Sequence, residues 1–421
     1  MSSLHAPSPS YRPPVTVAVV GAGNRGGIYA DWIKAHPDKA RLVAVADPRP
    51  TARAAIGAPR TFEDWRPLAE ERIADAVIVA TRDSDHVEPL LALAEAGYAI
   101  LAEKPLAPTE DETRAIVDGV EKAGVLFAAC HVMRYTPYTD LVRRVLASGV
   151  LGDLVTLDLL EPVGWWHYAH SYVRGPWSRE CDSSPMLLAK SCHDLDWIAY
   201  VTGQRIEQVA SFGGLKHFRP EHAPAGSADR CLDCAVEPDC PYSAPRLYLP
   251  TLQERGPVWP VTHVTDATEE SALLAALREG PYGKCVYRCE NDVVDHQVLA
   301  MRLSGGVTAT FTVVAFTEQT HRQTRIHGSH GWLRGDGEQV TVQDFCTGET
   351  TVHTVEAGGA TTADGHGGGD AALMEAFVQA VATGEAAAIR SGTAASIGSH
   401  LAAFAAERAR CTGTVETVPA R

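Results

Sequence analysis

At 421 residues the chain is long enough for two or three domains, and with 45% hydrophobic and 21% charged residues it is not a disordered polymer. Its 37 Lys and Arg against 52 Asp and Glu give a formal charge of −15, which disfavours phosphate backbones and anionic lipid, so no nucleic acid and no membrane are expected as partners. No apolar run approaches the roughly 18 residues of a bilayer span, and ten cysteines are too few for a disulfide scaffold. Met1 to Pro14 is Ser/Pro-rich without the apolar segment of a signal peptide, and reads as a disordered lead-in to a cytoplasmic protein.

Residues 15–135 alternate short apolar runs with helical patterns. The runs are Val15–Val20, Leu42–Ala46, Ala76–Ala80, Ala99–Ala102 and Val125–Ala129, and helices are expected over His86–Ala96 and Glu110–Ala123. That alternation predicts a doubly wound parallel sheet of the Rossmann type, buried on both faces. Residues 136–421 read differently. An alternating run, Leu154–Glu161, leads through a loop rich in Trp and His into an apolar helix, Met186–Tyr200, and Gln208–Lys216 alternates again. A Pro/Cys-rich stretch at about 217–260 shows no period and is too long for a passive connection. Five or six strands are expected between Cys285 and Val355, then helices over Ala371–Ala382 and Thr393–Arg410. The whole reads as an α/β chain, with a C-terminal α+β domain built on a mostly antiparallel open sheet.

Gly21-x-Gly23-x-x-Gly26 follows the first strand and opens a helix, and Asp47 ends the next strand. In that context Gly21 allows the tight turn, Gly23 the approach of a pyrophosphate, and Gly26 close helix–strand packing. The helix N-terminus offers free N–H groups to phosphate. Asp47 would accept from the adenosine ribose and repel a 2′-phosphate, which points to NAD, although Arg49 stands two residues on and could pair with such a phosphate. Glu103-Lys104-Pro105 ends a strand where ligands of open α/β sheets sit.

These pieces, with Asn24 and Arg25 in the glycine turn, Thr81 and His86, His131, Arg134-Tyr135-x-Pro137, and Cys192-His193-Asp194-Leu195-Asp196 on a helix, resemble the glucose–fructose oxidoreductase/inositol dehydrogenase/MocA family. The resemblance covers roughly residues 15–200 in order, and Ser399-His400-Leu401 looks like the C-terminal part of one branch. It implies a pyridine-nucleotide oxidoreductase acting on a hydroxyl of a sugar, cyclitol or glycoside, in a homo-oligomer (dimer or tetramer). Gly21, Gly23, Asn24, Arg25, Gly26, Asp47, Thr81, His86, Glu103, Lys104 and Arg134 then fall on the cofactor side, with Tyr135 and His193 toward the substrate. Lys104 and His193 match the family's acid/base pair, a polarising cation and a base for one hydroxyl proton. A glycoside hydrolase using held NAD for transient oxidation, elimination, hydration and re-reduction fits the same residues.

The sequence departs from the family where an aspartate usually stands four residues before the histidine, since that position is Ala189. Either Asp194 or Asp196 orients His193, or Lys190, three residues before it on nearly the same face, lowers its pKa by like charge or binds the substrate. Upstream, His167, Arg174 and Trp177 are the candidate substrate contacts of a loop dense in rings and donors. Cys231-x-x-Cys234-x5-Cys240 suggests a structural zinc needing a fourth ligand, with Cys285 and Cys289 (four apart on an expected strand), Cys181 and His263 as candidates. Three free thiols, an Fe–S cluster or a disulfide are the alternatives.

Overall fold

A computed structural model describes residues 14–355 and 366–420. The expected lead-in lies outside the described residues except for Pro14. Two sheets organise the chain.

The first sheet contains β1 (Val15–Val20), β2 (Ala40–Ala46), β3 (Arg60–Phe62), β4 (Ala76–Val79), β5 (Ala99–Ala102) and β6 (Phe127–Ala129), all parallel in the order β3-β2-β1-β4-β5-β6. The order reverses between β1 and β4, and the crevice for a ligand lies at their C-terminal ends. Its helices are α1 (Asn24–Ala35), α2 (Pro50–Ile56), α3 (Arg66–Glu70), α4 (Val87–Glu95) and α5 (Glu110–Ala123). The central strands are buried throughout, as apolar runs without alternation require. Only the three-residue β3 was too short to show a pattern.

After α6 (Pro137–Ala147) come β7 (Leu154–Pro162), a helical turn α7 (Trp165–Tyr168), a π-helical turn Ala169–Val173, α8 (Met186–Thr202) and β8 (Ile206–Gly214). The first part of the ring-rich segment expected as a loop, residues 165–173, is therefore wound helix, and its remainder with Trp177 is turn and loop as expected. Next are α9 (Ala244–Arg255) and α10 (Glu270–Glu279). Then follow β9 (His296–Leu303), β10 (Thr308–Val314), β11 (Gln323–Gly328), β12 (Gly331–Gly335), β13 (Gln339–Asp344) and β14 (Thr350–Thr354). The chain ends with α11 (Gly369–Thr383), α12 (Thr393–Thr412) and β15 (Glu416–Thr417). The nine-stranded second sheet has the order β14-β13-β12-β11-β7-β10-β9-β8-β15, antiparallel except for β7 beside β10. No helix among the described residues is long and apolar enough to cross a membrane.

Two further expectations are corrected. The stretch read as without period contains α9, whose Pro245 and Pro250 interrupt the apolar pattern while Ser243 caps it by accepting from Arg246 N at 3.2 Å. Cys285 and Cys289 are not on a strand; one isolated bridge, Arg230 to Lys284, leads into a turn, and strand structure resumes at His296.

Packing also crosses the expected boundary at residue 135. Leu373, Met374, Phe377, Val378 and Val381 of α11 share one buried cluster with Val17, Val19, Ile78 and Leu101 of the first sheet. Helix α11 thus covers a face of the N-terminal sheet.

Candidate active site

The dinucleotide turn begins with Gly21 at φ +94°, a conformation that favours glycine, and a Cβ on Gly26 would overlap the Gly21 carbonyl. A Cβ on Gly23 would meet nothing within 4 Å, so the backbone there faces open space. Gly23 is the N-cap of α1 and no side chain caps it, which leaves first-turn N–H groups for an anion. These features fit a dinucleotide pyrophosphate. Asn24 is exposed beside them, and Thr81 donates to Asp85 O at 3.1 Å.

Asp47 is 5% exposed. Its Oδ2 accepts from Ala22 N at 2.8 Å and its Oδ1 from Arg49 N at 2.9 Å, while the Arg49 guanidinium forks both oxygens at 3.0 Å. Burial pushes the carboxyl up, but the bonds from Arg49 and Ala22 outweigh it and hold the pKa below the ordinary value. Arg49, whose side chain is 60% exposed, covers the acceptor that a ribose would use.

Arg25 faces inward. Its Nε donates to Glu103 Oε1 at 2.6 Å and its Nη2 to Tyr29 OH at 2.5 Å, and it pairs with Asp370 at the start of α11. Glu103 also accepts from Tyr29 OH at 2.6 Å and Lys104 N at 3.0 Å. This buried cluster fixes the glycine turn to the strand end that carries Lys104. Two histidines hold that end: His86 Nδ1 donates to Pro105 O at 2.9 Å, and His400 Nε2 accepts from Leu106 N at 2.9 Å.

Lys104 crosses to α8, where its Nζ donates to Ala189 O at 2.8 Å. That carbonyl lies one helical turn before His193. The His193 ring lies 5.9 Å, centroid to centroid, from both His131 and His366, and His131 lies 5.8 Å from His400. His193 is 3% exposed with its Nδ1 buried and unpaired. Burial first, then the charge of Lys104, with His366, His131 and Arg322, hold its pKa well below the ordinary imidazole value.

The expected partners of His193 are committed elsewhere. Asp196 takes a bidentate pair from Arg134 at 2.6 Å. Asp194 Oδ1 accepts from Arg322 Nε at 2.8 Å. Lys190 pairs with Glu161 at 3.1 Å, and Arg322 reaches the other Glu161 oxygen at 2.7 Å. The charge that Lys190 was expected to place beside His193 is therefore met by Glu161, and the side-chain cations acting on His193 are Lys104 first and then Arg322.

Of the other candidates, His167 lies near this cluster, with Gln319 Nε2 at 3.4 Å and the Trp259 ring at 5.1 Å. Burial and Lys190 bring its pKa down to about 3. Trp177 is half-buried, 6.3 Å from Tyr172. Tyr135 is buried and bonds Ser391 Oγ at 3.1 Å and Arg390 N at 2.7 Å, and Arg134 lies against Tyr200. Arg174 donates to Lys284 O and Tyr242 O, both at 2.8 Å, and to Cys231 Sγ at 3.4 Å. Cys231, Cys234 and Cys240 line one cavity, although among the described residues no three His, Cys, Asp or Glu side chains stand close enough to hold a metal ion.

Glu161, Arg322, Gln319 and Trp259 were not anticipated. Glu161 had a signal: it shares the inward phase of β7 with Leu157 and Leu159, where a charge needs a buried partner. Arg322, in the turn between β10 and β11, had none.

Comparison with known proteins agrees with this geometry. Residues 15–131 match the oxidoreductase family's NAD-binding Rossmann fold, and residues 143–417 match the C-terminal alpha/beta domain of the same family. The putative oxidoreductase YteT of Bacillus subtilis is 24% identical over 72% of this chain and 71% of its own. Inositol 2-dehydrogenase of Rubrobacter xylanophilus is 31% identical over 46% of this chain, and the match spans 54% of that protein. 2,7-Anhydro-N-acetylneuraminate hydratase of Escherichia coli is 27% identical over 49% of this chain and 55% of its own. For the latter two, then, the match spans only about half of the relative. A levoglucosan dehydrogenase structure, in complex with NADH and L-sorbose, superposes with a TM-score of 0.69 at 18% identity, covering 97% of this chain and 99% of that one. An Agrobacterium radiobacter oxidoreductase in complex with NAD+, L-tartaric acid and magnesium gives 0.70 at 15% identity, covering 96% and 98%.

Proposed function

This chain belongs to the glucose–fructose oxidoreductase/inositol dehydrogenase/MocA oxidoreductase family, and from that premise we propose that it moves a hydride between NAD and a secondary hydroxyl, or the matching ketone, of a sugar, cyclitol or glycoside. The observation that carries this is the meeting of Lys104, from the end of a Rossmann strand, with the turn of α8 that presents His193. NAD supplies the hydride acceptor when bound. The glycine turn from Gly21 to Gly26 and Asp47 would hold it, with Arg49 giving way at the ribose.

Lys104 exchanges its bond to Ala189 O for one to the substrate oxygen, and its ammonium lowers the cost of a developing alkoxide. His193, held neutral by its surroundings, accepts the hydroxyl proton on a ring nitrogen. His167, Gln319 and Trp259 supply the donor, acceptor and ring face that a polyol pocket needs. Asp194, Lys190 and Arg322 are positioning residues behind them. A second copy of the chain would cover the open face of the second sheet, where Phe212 and Val298 sit opposite each other at 69% and 42% exposure.

The hydratases among the relatives favour one second reading, redox-neutral glycoside cleavage by oxidation, elimination, hydration and re-reduction. The two separate by stoichiometry. Purified protein is given NAD and a panel of inositols, aldoses, anhydrosugars and glycosides while product and NADH are both counted. A dehydrogenase yields one NADH per product, and the redox-neutral route yields none. Lys104→Met and His193→Ala should each lower turnover by roughly 10²–10⁴ with dinucleotide affinity changed only a few-fold. The double variant should be far from additive. Full activity in His193→Ala would overturn the assignment.

A further inference from the structure

Outside the crevice, the segment 217–290 holds five cysteines, and all ten in the chain are free thiols. Cys231, Cys234, Cys240 and Cys285 line a single cavity of about 20 Å³. That volume holds one water-sized body, whereas an iron–sulfur cube needs far more.

The backbone brings the four together. Cys231 and Cys234 bracket a tight turn, with Cys234 N donating to Cys231 O at 3.3 Å. The Arg230–Lys284 bridge and the bond from Cys285 N to Asp229 O at 2.8 Å then set Cys285 beside that turn. Each sulfur is offered an N–H. Cys231 Sγ accepts from Arg174 Nη2 at 3.4 Å and Cys234 Sγ from Ala228 N at 3.4 Å. The backbone N–H groups of Tyr242 and Tyr287 face the Cys240 and Cys285 sulfurs. These N–H donors suit thiolates, and the contact of Cys231 Sγ with Lys284 O, at 3.9 Å, is longer than that from Arg174.

Arg174 is an independent sign of negative charge. It is 5% exposed, its Nη1 is buried without a hydrogen-bond partner, and among the described residues no carboxylate pairs with it. A buried guanidinium without an anion is costly. Four thiolates around a divalent ion carry a net charge of minus two, which would answer it. Glu237, also at the cavity, is bonded to Ser243 instead.

We propose that Cys231, Cys234, Cys240 and Cys285 bind one structural zinc ion, with Arg174 as its buried counter-charge. The sulfurs close on the cavity by side-chain rotation to bonds of about 2.3 Å. The four thiol protons leave to solvent and nothing is oxidised. The other candidate ligands are excluded by position. Cys289 Sγ turns to Cys285 O at 3.3 Å, Cys181 lies exposed beside Asp182, and His263 packs on His170 at 5.7 Å. The ion would pin a small satellite core of Tyr248, Leu252, Leu273 and Leu277, which is too small to be stable alone.

The test is elemental analysis of the full chain purified under reductant, as isolated and after incubation with zinc and gel filtration. About one zinc per chain is expected. It should be lost in Cys285→Ser and kept in Cys289→Ser. Cobalt exchanged into the intact protein should show tetrahedral thiolate absorption, which keeps the idea testable if a cysteine variant fails to fold. Absence of zinc after incubation, bound iron with sulfide, or retention of zinc in Cys285→Ser would each overturn the proposal, as would a cobalt spectrum of octahedral oxygen type.

Discussion

Two buried ion clusters flank the crevice and differ in how completely they are satisfied. On the cofactor side Arg25 takes Glu103, Tyr29 and Asp370, so its donors bind the glycine turn, the Lys104 strand and α11 to one another. On the other side Lys190, Glu161, Arg322 and Asp194 form a balanced set of two cations and two anions. There Asp194 Oδ2 and the adjacent His193 Nδ1 are buried without a hydrogen-bond partner. Burial pushes the Asp194 carboxyl up, Arg322 opposes it, and Glu161 raises it again, with a net rise; Glu161, between two cations, ends below its ordinary value. The first cluster is a fastening. The second keeps buried hydrogen-bonding capacity unspent beside His193.

Removing one cation from each tests that contrast most severely. Arg322→Met and Arg25→Met should each cost about 3–5 kcal/mol, because buried carboxylates lose their partner, as read by denaturant unfolding. The functional losses should separate, with Arg322→Met raising KM for the polyol and Arg25→Met weakening the dinucleotide. A weaker dinucleotide in Arg322→Met would remove the distinction.

Acid should act on a comparable scale for each pH unit. His131, His170, His193 and His400 are all buried, and all titrate below the ordinary imidazole value, His170 at about 2 and His400 at about 3. The unfolded chain takes up these protons near pH 6.5 and the folded chain does not, so stability falls as pH falls below that value. Each imidazole contributes a slope of roughly 1 kcal/mol per pH unit. Unfolding midpoints between pH 7 and 5 would reveal it, and a flat profile would contradict it.

Smaller still, Asp47→Ala should shift the preference for NAD over NADP about tenfold toward NADP, near 1.4 kcal/mol, measured by paired titrations. The smallest effect is expected for Lys190→Ala. Glu161 retains Arg322, so KM should rise a few-fold while the acidic limb of the pH–rate profile stays in place. A limb that moved would return Lys190 to the neighbourhood of His193.

The same asymmetry governs what could be read before the fold. The glycine turn, Asp47 and Lys104 lie at strand ends within one run of βαβ units, where turn chemistry and apolar runs are local signals. Lys190, Glu161 and Arg322 come from α8, β7 and the turn before β11, and no spacing along the chain announces that they pair. Arg174 shows the limit on single residues, since its place in a ring-rich segment suggested a sugar contact while its guanidinium serves the cysteine cavity. The cysteine spacing itself was legible, yet choosing Cys285 over Cys289 required a backbone bridge that no local pattern encodes.

The packing of α11 against the first sheet has a consequence for biosynthesis. Arg25 and Asp370 are 345 positions apart, so a nascent chain exposes one apolar face of its nucleotide-binding half until that many further residues have been made. Domain-by-domain folding behind the ribosome therefore leaves this half with an uncovered apolar face, shielded or at risk of aggregation, until α11 has emerged.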